Sequence, residues 1–284
     1  MSGNFAYRPP ALVGSPIYSS TTSGSRRGFT LTELIVAISV VGILMSLLIC
    51  AVQASRESSR RTICANNIRN QIQGLQHFHA EWMHFPPGRN ETPVGEYSWC
   101  YKILPHLEQQ NLYDQFDLNK PWHAAGGNLT AAQQKLAIFR CPTSPDEFAG
   151  DTDYGGITGS LMSETIANFD TNNGVMVVVG VARKSPLSLG GIADGASHTI
   201  AVAECADREA SRGGAWVSGF NCFSHDNGPV NPRNNRNGEI FSWHSRGAYV
   251  GFVDGAVRFL PQETNVKIVG AVCTRSGGES NDTF

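Results

Sequence analysis

Several chemistries are excluded by what this chain lacks. It has no Cys-x-x-Cys pair, so its seven cysteines give no local signature of a zinc or thioredoxin-type centre. It has no Gly-x-Ser-x-Gly elbow, no His-Glu-x-x-His and no Gly-rich phosphate loop, which removes the local marks of common hydrolases, zinc peptidases and nucleotide binders. Basic residues, 22 against 24 acidic, fall short of a nucleic-acid footprint, so no nucleic-acid partner is expected. From Leu34 to Val52 charge is lacking altogether, over 19 residues.

As a helix, that uncharged run is about 28 Å long, one hydrocarbon core, and membrane lipid is its expected surrounding. Its edge is unusual. Arg26 and Arg27 precede Gly28, Phe29 follows, and a single carboxylate, Glu33, lies inside the apolar boundary. A secretory signal is cut after its apolar core, whereas here the basic-then-Gly step comes before it. An acid in a membrane helix costs about 2.5–3.5 kcal/mol on insertion scales and is usually kept for a partner or a function.

The stretch Arg26-Arg-Gly-Phe-Thr-Leu-Thr-Glu33 closely resembles the class III signal of type IV prepilins and pseudopilins. The resemblance implies a prepilin peptidase/N-methyltransferase that cuts between Gly28 and Phe29 and methylates the new amine. It also implies that Glu33 pairs with the N-terminal amine of a neighbouring, like pilin or pseudopilin subunit. Residues 1–28 would be a leader held in the cytoplasm, residues 29–60 the membrane half of a pilin helix, and residues 61–284 an extracytoplasmic α+β domain facing the periplasm or the cell surface. Loss of Arg8, Arg26 and Arg27 with the leader leaves 19 basic residues of the 22. Gly42 and Ser46 stand at a small-xxx-small spacing that lets membrane helices approach, though such residues are also ordinary membrane-helix composition.

Ala51 to His84 contains no proline and one glycine, and Ile68, Ile72, Leu75, His79 and Trp82 recur at helical steps, so the helix is expected to run on until Phe85-Pro-Pro-Gly88. From Phe29 to His84 that is 56 residues. The fold class expected is α+β: the pilin lollipop, a long helix packed on a mainly antiparallel sheet with short extra helices. His77, His79 and His84 read as packed or solvent-facing, because a spacing of two places neighbours on different helix faces.

A narrower resemblance is to the bacterial prepilin-like proteins carrying domain of unknown function (DUF) 1559. It rests on Ala51-Val-Gln-Ala-Ser-Arg-Glu-Ser-Ser-Arg-Arg61, Cys64-Ala-Asn-Asn, Phe139-Arg-Cys-Pro142, Asp194-Gly195 with Glu204, and His244 followed by Asp254-Gly255. The role of His244, Asp254, Gly255, Asp194, Gly195 and Glu204 is not implied by it. Cys50, in the apolar helix, departs from the family's usual proline. Six cysteines remain for disulfides outside the cytoplasm, with 15 connectivities open. A Cys64–Cys141 bridge is expected, since both lie in family-like stretches where helix and extended chain would meet.

Elsewhere, short helices are expected over Leu104–Phe116 and Leu129–Phe139, the second capped by Asn128 or Thr130. Residues 142–174 read as loops; Asp151, Asp153, Glu164 and Asp170 could ligate calcium there, but without EF-hand spacing, and no other cofactor or metal is expected. Val175–Val181 and Thr199–Ala203 read as neighbouring buried strands, with a turn at Asp194–His198 whose carboxylate caps the following backbone. Tyr249–Val253 and Ala256–Leu260 flank Asp254-Gly255, a hairpin turn with positive φ at both residues. His244, Asp254 and Ser245 or Ser197 are triad ingredients, and Glu204 with Asp207 an acid–base pair, but ingredients without a motif do not predict an enzyme. Three readings follow: a pilin-like structural subunit; a tethered binding module using loops 140–175 and 211–240; and, last, a tethered hydrolase.

Overall fold

The computed structural model describes residues 28–90, 97–145, 148–162, 172–180, 185–209, 213–226, 228–232 and 238–278. Glu164, Asp170 and residues 1–27 of the leader lie outside these. The chain divides into two compact units, Met1–Val52 and Gln53–Phe284.

Helix α1 runs Leu31–Trp82. It ends where Met83 turns left-handed, at φ 60°, just before Phe85-Pro-Pro. In the first unit its apolar side chains are exposed on every side, and it is long and apolar enough to cross a membrane. In the second unit one face is buried, through Cys64, Asn67, Ile68, Gln71, Ile72, Leu75 and Phe78. The expected stripe holds to Leu75 and then turns: Phe78 is buried, while Trp82 is exposed and stacks on it at 6.1 Å.

After β1 (Arg89–Asn90) come α2 (Trp99–Ile103), a 3-10 turn at Leu104–Leu107, α3 (Gln110–Tyr113), α4 (Gly127–Ala132) and a second 3-10 turn at Ala137–Phe139. The two expected helices are thus broken into shorter pieces. Neither Asn128 nor Thr130 caps α4. Asn128 is buried inside it, its Oδ1 accepting from the Asp117 N–H at 2.8 Å and its Nδ2 donating to the Tyr97 hydroxyl at 3.0 Å.

The sheet is built from β2 (Tyr154–Gly159), β4 (Ile200–Glu204), β5 (Cys222–Ser224), β6 (Gly247–Phe252) and β7 (Val257–Pro261), in the order β5-β2-β4-β6-β7. It is mixed: β2 and β5 run parallel, and the other three pairings are antiparallel. β3 is only Val178–Val179 and pairs with β1, so the expected neighbour of β4 is a correction; β4 lies between β2 and β6. The region read as loop, 142–174, also needs correcting, because Tyr154-Gly-Gly-Ile-Thr-Gly159 is a wholly buried inner strand.

The sheet packs on both faces, and a bulge in β4 between Ile200 and Val202 sends those two side chains to opposite ones. Val202 joins Ile68, Ile72 and Leu75 of α1 on one face, while Ile157, Ile200 and Phe252 meet Val269 and Val272 of α5 (Val266–Cys273) on the other. Gly251 on β6 is what lets α1 lie so close, since a Cβ there would stand 2.5 Å from Ile68 Cγ2. Asn67 and Gln71 on the buried helix face donate to the carbonyls of Ala137, Ile138 and Arg140, which moors the segment leading to Cys141.

The β6–β7 hairpin forms where expected, but its turn is longer by one residue. Gly255 N–H bonds the Phe252 carbonyl and Phe252 N–H the Ala256 carbonyl, so the loop is Val253-Asp254-Gly255 with positive φ, 98°, at Gly255 alone. This is a type I turn closed by a left-handed glycine. The Asp194 carboxylate caps Gly277 and Gly278 N–H groups far along the chain, not the backbone following it; Gly195 takes the positive φ of that turn, 93°.

Candidate functional site

In the first unit, Thr30 and Glu33 bracket the first turn of α1. Glu33 N–H donates to Thr30 Oγ1 at 3.3 Å, and Glu33 Oε2 accepts from Thr30 N–H at 2.9 Å and from Thr30 Oγ1 at 2.8 Å. This reciprocal pattern is a capping box, Thr-x-x-Glu, and it was legible as such in the sequence. Glu33 therefore has a local partner through one carboxylate oxygen. Gly28 has open space around its Cα, and Phe29 is exposed.

In the second unit four ionisable side chains converge from four separate stretches. Cys64 comes from α1, Cys141 from just after the 3-10 turn, Glu204 from the end of β4, and His244 from just before β6. Their ligand-type atoms all lie within 4.8 Å of one another and all four residues are buried. Cys64 Sγ is 2.6 Å from Cys141 Sγ, a contact and not a bond. His244 Nε2 is 3.4 Å from Cys141 Sγ and 3.6 Å from Glu204 Oε1. The other imidazole nitrogen, Nδ1, faces Glu57 Oε1 at 2.8 Å, and Arg60 and Arg61 hold Glu57 in turn.

Three of the four converging residues are anchored by an atom that does not point inward. Cys141 N–H donates to Asp153 Oδ2 at 2.6 Å, Glu204 Oε2 accepts from Tyr249 N–H at 2.7 Å, and His244 N–H donates to Ser242 Oγ. Glu204 Oε1 is buried without a hydrogen bond. Electrostatically the cluster is tense. Burial raises the Glu204 carboxyl to about 8. The contact with Cys64 outweighs burial and, with His244, lowers Cys141 to about 4, while the same contact raises Cys64. Burial opposes a proton on His244, but Cys141, Glu204 and Glu57 together raise it to about 9.

The remaining candidates are placed elsewhere. Asp254 is exposed in the hairpin turn and accepts from Ala256 N–H, and Ser245 accepts from Arg61 through its carbonyl and hydroxyl. Ser197 Oγ lies 3.1 Å from His198 Nδ1. Asp207 sits at a left-handed turn after β4, φ 64°. Asp151 and Asp153 are buried against Arg140, Asp153 Oδ2 lying 3.2 Å from Nη1. Of the segments assigned to surface recognition, Trp216, Val217 and Phe223 of β5 are buried.

The family model described as a protein of unknown function, DUF1559, matches residues 53–267. The chain belongs to the DUF1559 family. The model of the prokaryotic N-terminal methylation motif matches residues 24–49. No curated protein and no solved structure matches this DUF1559 chain. Family, motif and the one membrane-length helix among the described residues make it a prepilin- or pseudopilin-like protein with a membrane span and an extracytoplasmic β-sheet domain.

Proposed function

We propose that this DUF1559 protein is a structural subunit of a secretion- or pilus-type fibre. It is cut after Gly28, methylated on the Phe29 amine, and assembled with like subunits through the membrane half of α1, in the lollipop arrangement of pilins. The observation that carries the reading is the all-round exposure of apolar side chains from Leu31 to Val52, a run that the methylation-motif match covers as far as Ile49. Such a surface is covered by lipid or by like helices. Drawn out of the headgroups into a helix bundle, Glu33 is costly unless a neighbour's amine offsets it. The capping box uses Oε2, so Oε1 is left for that amine.

The test is crosslinking in membranes of full-length chains carrying Val41→Cys, with and without Glu33→Leu. The expected result is normal cleavage and insertion in both, with subunit crosslinks lost in the Glu33→Leu chain. A second reading, a membrane-tethered binding module, is favoured by a cleft of about 600 Å³ lined by Phe78, Trp82, Lys102, His106 and Tyr113. Equal crosslinking in both chains would give that reading first place.

A further inference from the structure

We propose that Cys64, Cys141, Glu204 and His244 are the four ligands of a structural, zinc-class divalent metal ion that pins α1 to the sheet. Two thiolates, one imidazole and one carboxylate suit zinc or another borderline-soft first-row ion, and the sulfurs exclude calcium and magnesium. Four protein ligands leave no open position, so the site is of the closed, structural kind.

The arrangement asks for a ligand. A disulfide would use the two sulfurs and leave Glu204 Oε1 buried without a hydrogen bond against a buried imidazole. An ion uses all four groups. Around a tetrahedral zinc, with bonds of roughly 2.0–2.3 Å, ligand atoms stand roughly 3.3–3.8 Å apart. The His244–Cys141 and His244–Glu204 separations, 3.4 and 3.6 Å, already match. The sulfurs, at 2.6 Å, open by about 1 Å to admit the ion.

The surroundings fit as well. Glu57 accepts from His244 Nδ1, which leaves Nε2 as the ligand atom and reproduces the carboxylate–histidine–metal pattern. Two thiolates, Glu204 and Glu57 bring four negative charges; a divalent ion with Arg60 and Arg61 brings four positive. The four ligands come from positions 64, 141, 204 and 244, so no Cys-x-x-Cys spacing announces them.

The experiment uses the full-length protein in detergent, prepared without chelator from an oxidising compartment. Metal content is measured, thiols and disulfides are mapped without reduction, and reduced, metal-stripped protein is titrated with Co²⁺. The expected result is about one zinc-class ion per chain, no Cys64–Cys141 disulfide, and a cobalt complex with sulfur charge-transfer and tetrahedral-intensity visible bands. His244→Ala and Cys141→Ser abolish that spectrum. Glu57→Gln, which leaves all four ligands in place, keeps it but weakens metal affinity about 10- to 100-fold. Cys273→Ser, remote in the other core cluster, leaves it unchanged. A Cys64–Cys141 disulfide in metal-free protein, or reduced protein that takes up no cobalt, overturns the proposal; so does a spectrum unchanged in His244→Ala and Cys141→Ser.

Discussion

His244 and Glu57, 187 positions apart, are joined by a 2.8 Å contact between Nδ1 and Oε1. The carboxylate can only accept, so Nδ1 carries a proton and the orientation of the ring is fixed. The His244 side chain is fully buried while Glu57 is partly exposed, so the pair sits at the rim of the second unit's interior. Removing the acceptor leaves a buried donor unmet. Glu57→Ala is expected to cost about 1–3 kcal/mol in chemical denaturation of the full-length protein. Ser59→Ala, two residues on and exposed, should change stability by less than about 0.5 kcal/mol. Equal effects of the two would contradict the pairing.

At Gly251 the sheet lies against α1 with no room for a side chain. Gly251→Val must place Cβ 2.5 Å from Ile68 and 2.8 Å from Ile72, and neither can withdraw from a packed face. Overpacking of this kind is expected to cost about 1–3 kcal/mol or more, seen as a lower denaturation midpoint at unchanged slope. Gly190→Ala, with open space around it, is the control and should be near neutral.

Arg140 stands between Asp151 and Asp153 in the interior. Arg140→Met strips the guanidinium from two buried carboxylates and is expected to cost about 3–5 kcal/mol. Arg140→Lys should recover little, because a single ammonium cannot reproduce the fork that also donates to the Pro145 carbonyl. Denaturation curves of the two variants beside the parent chain check both statements.

What was legible in the sequence was local. The membrane helix, the methylation motif and the β6–β7 hairpin are each written in contiguous residues, so periodicity, motif and turn chemistry suffice to find them. Strand β2 was hidden because Tyr154-Gly-Gly-Ile-Thr-Gly159 has the composition of a loop; its glycines are there so that Phe223 and Met176 can pack against its backbone. The caps of α4 were misread because Asn128, typical of a cap, is used inside the helix to gather the Asp117–Pro121 carbonyls. The quartet was out of reach for a different reason. Cys64, Glu204 and His244 were marked as motif residues, but only the sheet brings them together, and Glu57 carried no signal of its partner.

On the proposed reading Glu33 both caps the helix and pairs with a neighbour's amine, and one substitution separates the two. Glutamine can keep the capping box with Thr30 but carries no charge for an amine. Glu33→Gln should therefore retain helicity and cleavage while losing subunit crosslinks, whereas Thr30→Val should weaken the helix start by about 0.5–2 kcal/mol and leave crosslinking intact. Crosslinking of Glu33→Gln at parental levels would restrict the carboxylate to capping.

The mature N-terminus tests the central claim most directly. Mass spectrometry of the membrane-extracted chain, with sequencing of its N-terminal peptide, should find Phe29 first and one methyl group on its amine. A chain still beginning at residue 1, or one cut after Ala51 beyond the apolar run, would contradict processing by the pilin route and the assembly built on it.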